Sequence, residues 1–156
     1  ETAQPLHAAA VEHSDGYLFR AKVHRYASLA MLPLFGAEVF LGQSLYSSGG
    51  ETKKGVHAAV GAGIVSLFAV NTATGAWNLF GEGRRDSKGR TRRWVHGLLM
   101  MAADAGFVAT LAKAPGEHEG RFNGPITDTR ATHRSYALAS IGIGTAGYLT
   151  MLLWNH

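Results

Sequence analysis

Four histidines recur in one setting along the chain. His24, His57, His96 and His133 each follow a Lys or Arg by two to four residues, and each opens a long apolar run. Imidazole is the commonest metal ligand among side chains and a ready proton carrier, so the pattern points first to metal or redox chemistry. The chain has no Cys. That removes disulfides, thiolate zinc sites, iron–sulfur clusters and covalent c-type haem attachment. Two carboxylates, Glu38 and Asp104, lie inside the apolar runs, where a charge is expensive and faces the interior of a bundle. They suit hydrogen bonding to a cofactor edge, proton relay, or a protonated state satisfied by Ser or Thr. No Ser/His/Asp order, phosphate loop or metal box is present, so bond-making catalysis is not indicated. An electron carrier is expected, and an oxidoreductase only where a donor site exists.

The elements that must position these histidines are the runs themselves. They cover residues 22–46, 53–80, 90–114 and 130–156, each about as long as the ~20 residues that span a bilayer. The 20 glycines and abundant Ala suit helices that approach closely in lipid. The expected fold is all-α, a membrane-spanning antiparallel four-helix bundle over residues 20–156. Residues 1–19 form a surface tail or interfacial segment, with Pro5 starting a short helix and Leu6, Val11, Leu18 and Phe19 on the membrane surface. Pro33 predicts a kink in the first span. SSGGE (47–51) is a turn, GEGRRDSKGR (81–90) a polar loop, and Pro115-Gly116 stops the third span before a connection broken by Gly120, Gly124 and Pro125.

The net charge of +4 does not argue for nucleic acid, because the basic residues gather at helix ends. Four spans place the tail, the 81–90 loop and the C-terminus on one side, with Arg20, Lys22, Arg25, Arg84, Arg85, Lys88, Arg90, Arg92 and Arg93. The opposite side carries the fewer Lys53, Lys54, Lys113, Arg121, Arg130 and Arg134. The bias puts both termini on the cytoplasmic or stromal side.

Because alternate spans run in opposite directions, His24 and His96 fall at one membrane face and His57 and His133 at the other. In an up-down bundle each pair is diagonal, and a diagonal pair can reach a flat macrocycle from both sides, one axial bond from each ring. Two such pairs make two haem b groups stacked across the bilayer. Eleven residues, about three turns, separate His24 from Phe35, His57 from Phe68, His96 from Phe107 and His133 from Gly144. Seven residues on stand Met31, Ile64, Ala103 and Ser140. The His faces are therefore small or aromatic, and the three Phe side chains are expected at the depth of the opposite haem. Glu38 shares a face with His24, near the opposite His pair. Asn71, Thr72 and Thr74 make a polar patch on the second helix for a haem propionate or a backbone group. Arg25, Arg93, Lys54 and Arg134 are the basic residues expected at propionates. His7, His13, His118 and His156 lie in tail, loop or terminus and are expected to meet solvent. HRYASLA (24–30) echoes HRSYALA (133–139), which suggests that the outer helices share one design.

On these histidines and their spacing, residues 20–156 resemble the cytochrome b561 superfamily of dihaem transmembrane cytochromes. In that family four core helices each give one His, paired between alternating helices; the matching positions are His24 with His96 and His57 with His133. The resemblance implies transmembrane electron transfer through two b-type haems and a redox partner or membrane complex. Animal and plant members carry six helices, whereas this chain has the four-helix core, and no dedicated ascorbate-binding motif stands out. The chain opens on Glu1 rather than Met; a cleaved targeting peptide is one explanation among several, and with it a plastid (thylakoid) membrane is expected, a bacterial inner membrane otherwise. Two rival readings remain. One is an accessory subunit of a large photosynthetic or respiratory complex that binds pigment or lipid, with each His on one chlorophyll or on nothing. The other is a small transporter using Glu38 and Asp104, against which stands the absence of an interrupted helix pair. Gly142, Gly144 and Gly147 are expected to dock a partner helix.

Overall fold

The computed structural model describes residues 12–116 and 126–154, and among these it holds helices and no strand. Four long helices follow one another: α1 (Asp15–Ser48), α2 (Glu51–Phe80), α3 (Arg90–Ala112) and α4 (Ile126–Leu153), with a 3-10 turn (Glu82–Arg85) between α2 and α3. All four are long and apolar enough to cross a membrane. The all-α antiparallel bundle expected from the sequence is the fold observed. Pro5, Leu6, Val11, His7, His118, Gly120, Arg121, Gly124, Pro125 and His156 lie outside the described residues.

Local chemistry sets the ends. The Ser14 hydroxyl caps α1 by accepting from the Tyr17 N–H at 3.2 Å, a standard N-cap bond. The helix therefore begins at Asp15, and residues 15–19, expected in the tail, belong to α1; Leu18 and Phe19 are exposed on it. α1 continues through Pro33 without a break in its helical assignment. It stops where Gly49 and Gly50 take φ of 65° and 112°, values that a side chain disfavours. A two-residue turn of that kind forces α2 back along α1. The third span ends at Ala112, just before the expected Pro115-Gly116 stop.

The bundle is two hairpins laid together. α1 packs along most of α2 and α3 along most of α4, while α2–α3 and α1–α4 meet over shorter stretches. The core is one small cluster: Met31, Phe35, Ile64, Phe68, Ala103 and Phe107, with Ser140 and Gly144 buried opposite. These are the positions seven and eleven residues after the four histidines. On a helix turning 100° per residue both steps return to within about 20° of the starting face. The outside is apolar instead. Phe40 is 74% exposed and Trp77 67%, as expected of side chains that meet lipid rather than water.

Small residues let the backbones close up. A Cβ on Gly106 would collide with the Ser140 hydroxyl, and one on Gly147 would sit 3.3 Å from Leu99 Cβ. Gly144 faces Phe35 and Phe68. Gly144 and Gly147 thus serve contacts inside the bundle rather than the outer docking face expected of them. Only Gly142 of the three has open space beside it.

The N-terminal end of α1, the α2–α3 connection and the C-terminal end of α4 share one face of the bundle. Glu82 accepts from both the Ser14 N–H and hydroxyl, Arg20 donates to Asn78 at 2.8 Å, and Arg92 donates to the Trp154 carbonyl at 2.7 Å.

Two outcomes follow from this packing. Gly106→Ala should cost about 1–3 kcal/mol by overpacking, and adding Ser140→Ala, which removes the colliding oxygen, should recover part of it in thermal unfolding in detergent. The Ser14 hydroxyl and then its N–H hold the Glu82 carboxyl below its ordinary pKa. The clasp is therefore fully present above the ordinary carboxylate value and is lost as pH falls through the depressed one. Amide exchange at Tyr17 and Leu18 should rise in that acid window, and Glu82→Gln should remove the pH dependence.

Candidate functional site

The four helix-opening histidines come together in two pairs. The rings of His24 on α1 and His96 on α3 have centroids 6.0 Å apart and planes at 86°. Those of His57 on α2 and His133 on α4 are 6.1 Å apart at 82°. Both pairs join diagonal helices. Glu38 and Gly42 of α1 bracket His57, fourteen and eighteen residues beyond His24, so the two levels lie about 21–27 Å apart along the axis. That places one pair near each face of a hydrocarbon core about 30 Å thick.

Each ring is oriented by the antiparallel neighbour of its own hairpin. His24 Nδ1 donates to the Asn71 carbonyl at 3.0 Å, His96 Nδ1 to the Gly147 carbonyl at 2.8 Å and His133 Nδ1 to the Thr110 carbonyl at 2.9 Å. His57 Nδ1 lies 3.0 Å from Glu38 Oε1, a short contact off the line of an ideal hydrogen bond. The four partners share one register: Glu38, Asn71, Thr110 and Gly147 each stand fourteen residues after the histidine of their own helix. A carbonyl oxygen can only accept, so Nδ1 carries the proton in those three rings and the neutral ring keeps its lone pair on Nε2. Among the described residues no hydrogen bond reaches any of the four Nε2 atoms. A ring with Nδ1–H on a backbone acceptor and a bare Nε2 is the usual form of a metal-ligating histidine.

Glycines make the space. A Cβ at Gly75 would lie 2.9 Å from His24 Cε1, and one at Gly42 would lie 3.4 Å from His57 Cε1. Each of these glycines stands eighteen residues, or five turns, after the histidine of its own helix. The antiparallel pairing of α1 and α2 makes this a reciprocal exchange of ring for glycine. Beside His24 and His96 opens a cavity of about 310 Å³, mostly apolar, with Met31, Phe35, Phe68, Met100 and Tyr148 in its wall.

Among the described residues no three His, Cys, Asp or Glu side chains gather as a metal-binding group. What the bundle offers twice is a two-imidazole clamp. Two metal–imidazole bonds of about 2 Å, end to end with the half-widths of the rings, match the 6.0 and 6.1 Å between centroids. Two imidazoles alone leave the remaining positions of any metal held between them to ligands from outside the chain, and a planar macrocycle is one group that would supply them.

The other expected site residues fall as follows. Phe35, Phe68 and Phe107 meet one another, with centroids 4.9 to 6.3 Å apart. They form a layer between the two His levels, and Phe68, eleven residues after His57, reaches the wall of the cavity beside the opposite pair, His24 and His96. The step from each end overshoots the midpoint only slightly, so rings from opposite helices converge there. Arg93 donates to the carbonyls of Gly83, Asp86 and Lys88 and so holds the α2–α3 connection, although it also borders the cavity. Arg134 donates to Gln43 Oε1 and lies over the Tyr46 ring. Lys54 pairs loosely with Glu51 at 3.9 Å, and Arg25 is exposed. Asp104 accepts from Thr72 at 2.7 Å. Of the polar patch, Asn71 gives its carbonyl to His24 and its side chain to Ser28. His13, expected in solvent, stacks on Tyr17 and nears Glu82 at 3.7 Å.

The residues that side-chain reasoning missed are Thr110, Gly147, Gly42 and Gly75. All four act through backbone or through a missing Cβ, and residue type alone gives no signal for that. The reciprocal fourteen- and eighteen-residue spacings would have found them. Comparison with protein-family models, with curated proteins and with solved structures found no match.

Gly75→Val should push the His24 ring off the Asn71 carbonyl. Ring ¹⁵N spectra should then show His24 losing its Nδ1–H tautomer while His133 keeps it.

Proposed function

We propose that the chain is a transmembrane electron carrier holding two b-type haems, one between His24 and His96 and one between His57 and His133, as in the four-helix core of the cytochrome b561 superfamily. The observation that carries this reading is the repeated clamp: two diagonal imidazole pairs at 6.0 and 6.1 Å, with three rings anchored through Nδ1 on carbonyls and the fourth against a carboxylate. A haem bound there supplies reversible one-electron iron chemistry.

The chain's own part is positioning and exclusion. Backbone carbonyls fix the imidazole tautomers before any ligand arrives, so little ordering is left for binding. A haem held by an imidazole from each of two helices would have no iron position left for oxygen or substrate, which suits electron transfer. Met31, Ile64, Ala103 and the Phe35–Phe68–Phe107 layer keep water out of the bundle centre. The two clamps near opposite faces give a route across the bilayer. Arg25 and Arg93 stand within three residues of the first clamp's histidines and Lys54 and Arg134 within three of the second's. In this reading they are the cations that propionates would draw, Arg93, Lys54 and Arg134 from their present partners. In this reading the protein lies in a thylakoid or bacterial inner membrane with termini on the stromal or cytoplasmic side, and it serves a redox partner or complex. One His per pigment, as in a chlorophyll-binding subunit, requires no pairing of rings, and the pairing favours the dihaem reading.

The purified protein should show a dithionite-reduced minus oxidised spectrum of b type and two haems per chain by pyridine haemochrome. His24→Ala or His96→Ala should remove one haem, and His57→Ala or His133→Ala the other. The near-perpendicular rings should give low-spin ferric signals of strongly axial type in electron paramagnetic resonance. A preparation with chlorophyll, or with no haem after reconstitution, would sink the proposal in favour of an accessory subunit.

A further inference from the structure

The four rings supply their own internal comparison. Three present Nδ1 to a backbone carbonyl, and His57 alone presents it to a carboxylate, Glu38. The register is the same in all four, so the departure lies only in what that position offers. The surroundings are cut to admit it. A Cβ on Gly61 would stand 3.0 Å from Glu38 Oε1, and the Glu38 side chain is 13% exposed with Oε2 buried and without a hydrogen bond in the protein. A carboxylate kept in an apolar span, with room cleared for it on the neighbouring helix, is a costly feature. Holding the ring does not require it, since a carbonyl does the same at the other three.

We propose that Glu38 is a positioning residue that makes His57 the most electron-donating of the four histidines, so that the His57/His133 site has the lower reduction potential of the two. The proposal rests on the dihaem reading above. The Glu38 carboxylate 3.0 Å from Nδ1, though off the line of an ideal hydrogen bond, attracts the ring proton through its charge and so raises the basicity of Nε2 more than a neutral carbonyl does. A more basic axial ligand favours the oxidised metal, and a negative charge in a low-dielectric interior acts in the same sense. Asp104, the other carboxylate in the spans, does not balance this. It borders the cavity beside His24 and His96 but accepts there from Thr72, and among the described residues it contacts no imidazole nitrogen, so it acts on that site only at a distance. The bundle is therefore electronically polar from end to end, with the His57 face the more reducing.

The test is a redox titration of the two-haem protein followed by visible spectra, in wild type and Glu38→Gln. Gln keeps an acceptor oxygen and the shape but removes the charge. Two unequal midpoints are expected in wild type, with the lower one raised toward the upper in E38Q and the upper one unmoved. A His24→Ala background, which leaves the His57/His133 site, assigns the moving component. Ring ¹H and ¹⁵N spectra of protein prepared without haem give a second readout: the His57 Nδ1 signal should stand apart from those of the other three and move toward them in E38Q. Equal midpoints, a shift of both components alike, or no shift in E38Q would overturn this proposal and leave the dihaem reading intact. A wild type that takes up no haem would overturn both.

Discussion

The bundle depends on a contact that each hairpin makes twice, from a ring at the start of one helix to an oxygen near the end of the other, a carbonyl in three cases and the Glu38 carboxylate in the fourth. A helical carbonyl has already accepted from an N–H four residues on, and only its second lone pair is left for the imidazole. Reaching it requires the two backbones to be close. Gly75 beside His24, Gly42 beside His57 and Gly61 beside Glu38 are where α1 and α2 meet that requirement, and Gly106 against Ser140 and Gly147 against Leu99 are where α3 and α4 do. The richness in glycine, the small core and the placing of large apolar side chains outside all follow from that one demand. In lipid the outward side chains lose nothing, because apolar surface gains little there by turning inward.

Much of this was legible in the sequence because the period that forms the helices also sets the site. Steps of seven and eleven from each histidine name the core residues Met31, Ile64, Ala103 and Ser140, and Phe35, Phe68 and Phe107, all of which are buried. The diagonal pairing followed from alternation of direction, and the Gly49-Gly50 turn from composition. The meeting of the three Phe rings did not, because single-helix arithmetic places a ring relative to its own histidine and not relative to a ring arriving from the far end. The commitments of Arg93 and Arg134 were hidden for a different reason. A long basic side chain finds whichever carbonyl or amide lies within reach, and its destination is fixed by loop geometry that hydropathy does not report.

The Phe layer divides the interior. Phe35 and Phe68 wall the cavity on the His24/His96 side, while Phe107 packs with both rings and with Ala103 in the central cluster. The tilted and edge-on ring contacts, with centroids down to 4.9 Å, are the favoured arrangements for aromatic pairs. They give the middle of the bundle a stiffness that its small residues cannot. Gly144 is the fourth member of that layer, and its lack of a side chain is what gives three rings room to meet.

Each diagonal pair takes one ring from α1/α2 and one from α3/α4. Neither hairpin owns a pair: His24 waits for His96, and His57 for His133. Orientation of each ring is settled within a hairpin, but the joint between rings exists only after two hairpins have docked. Under the dihaem reading proposed above, a molecule bound between the rings would act as a rivet between the two halves of the chain.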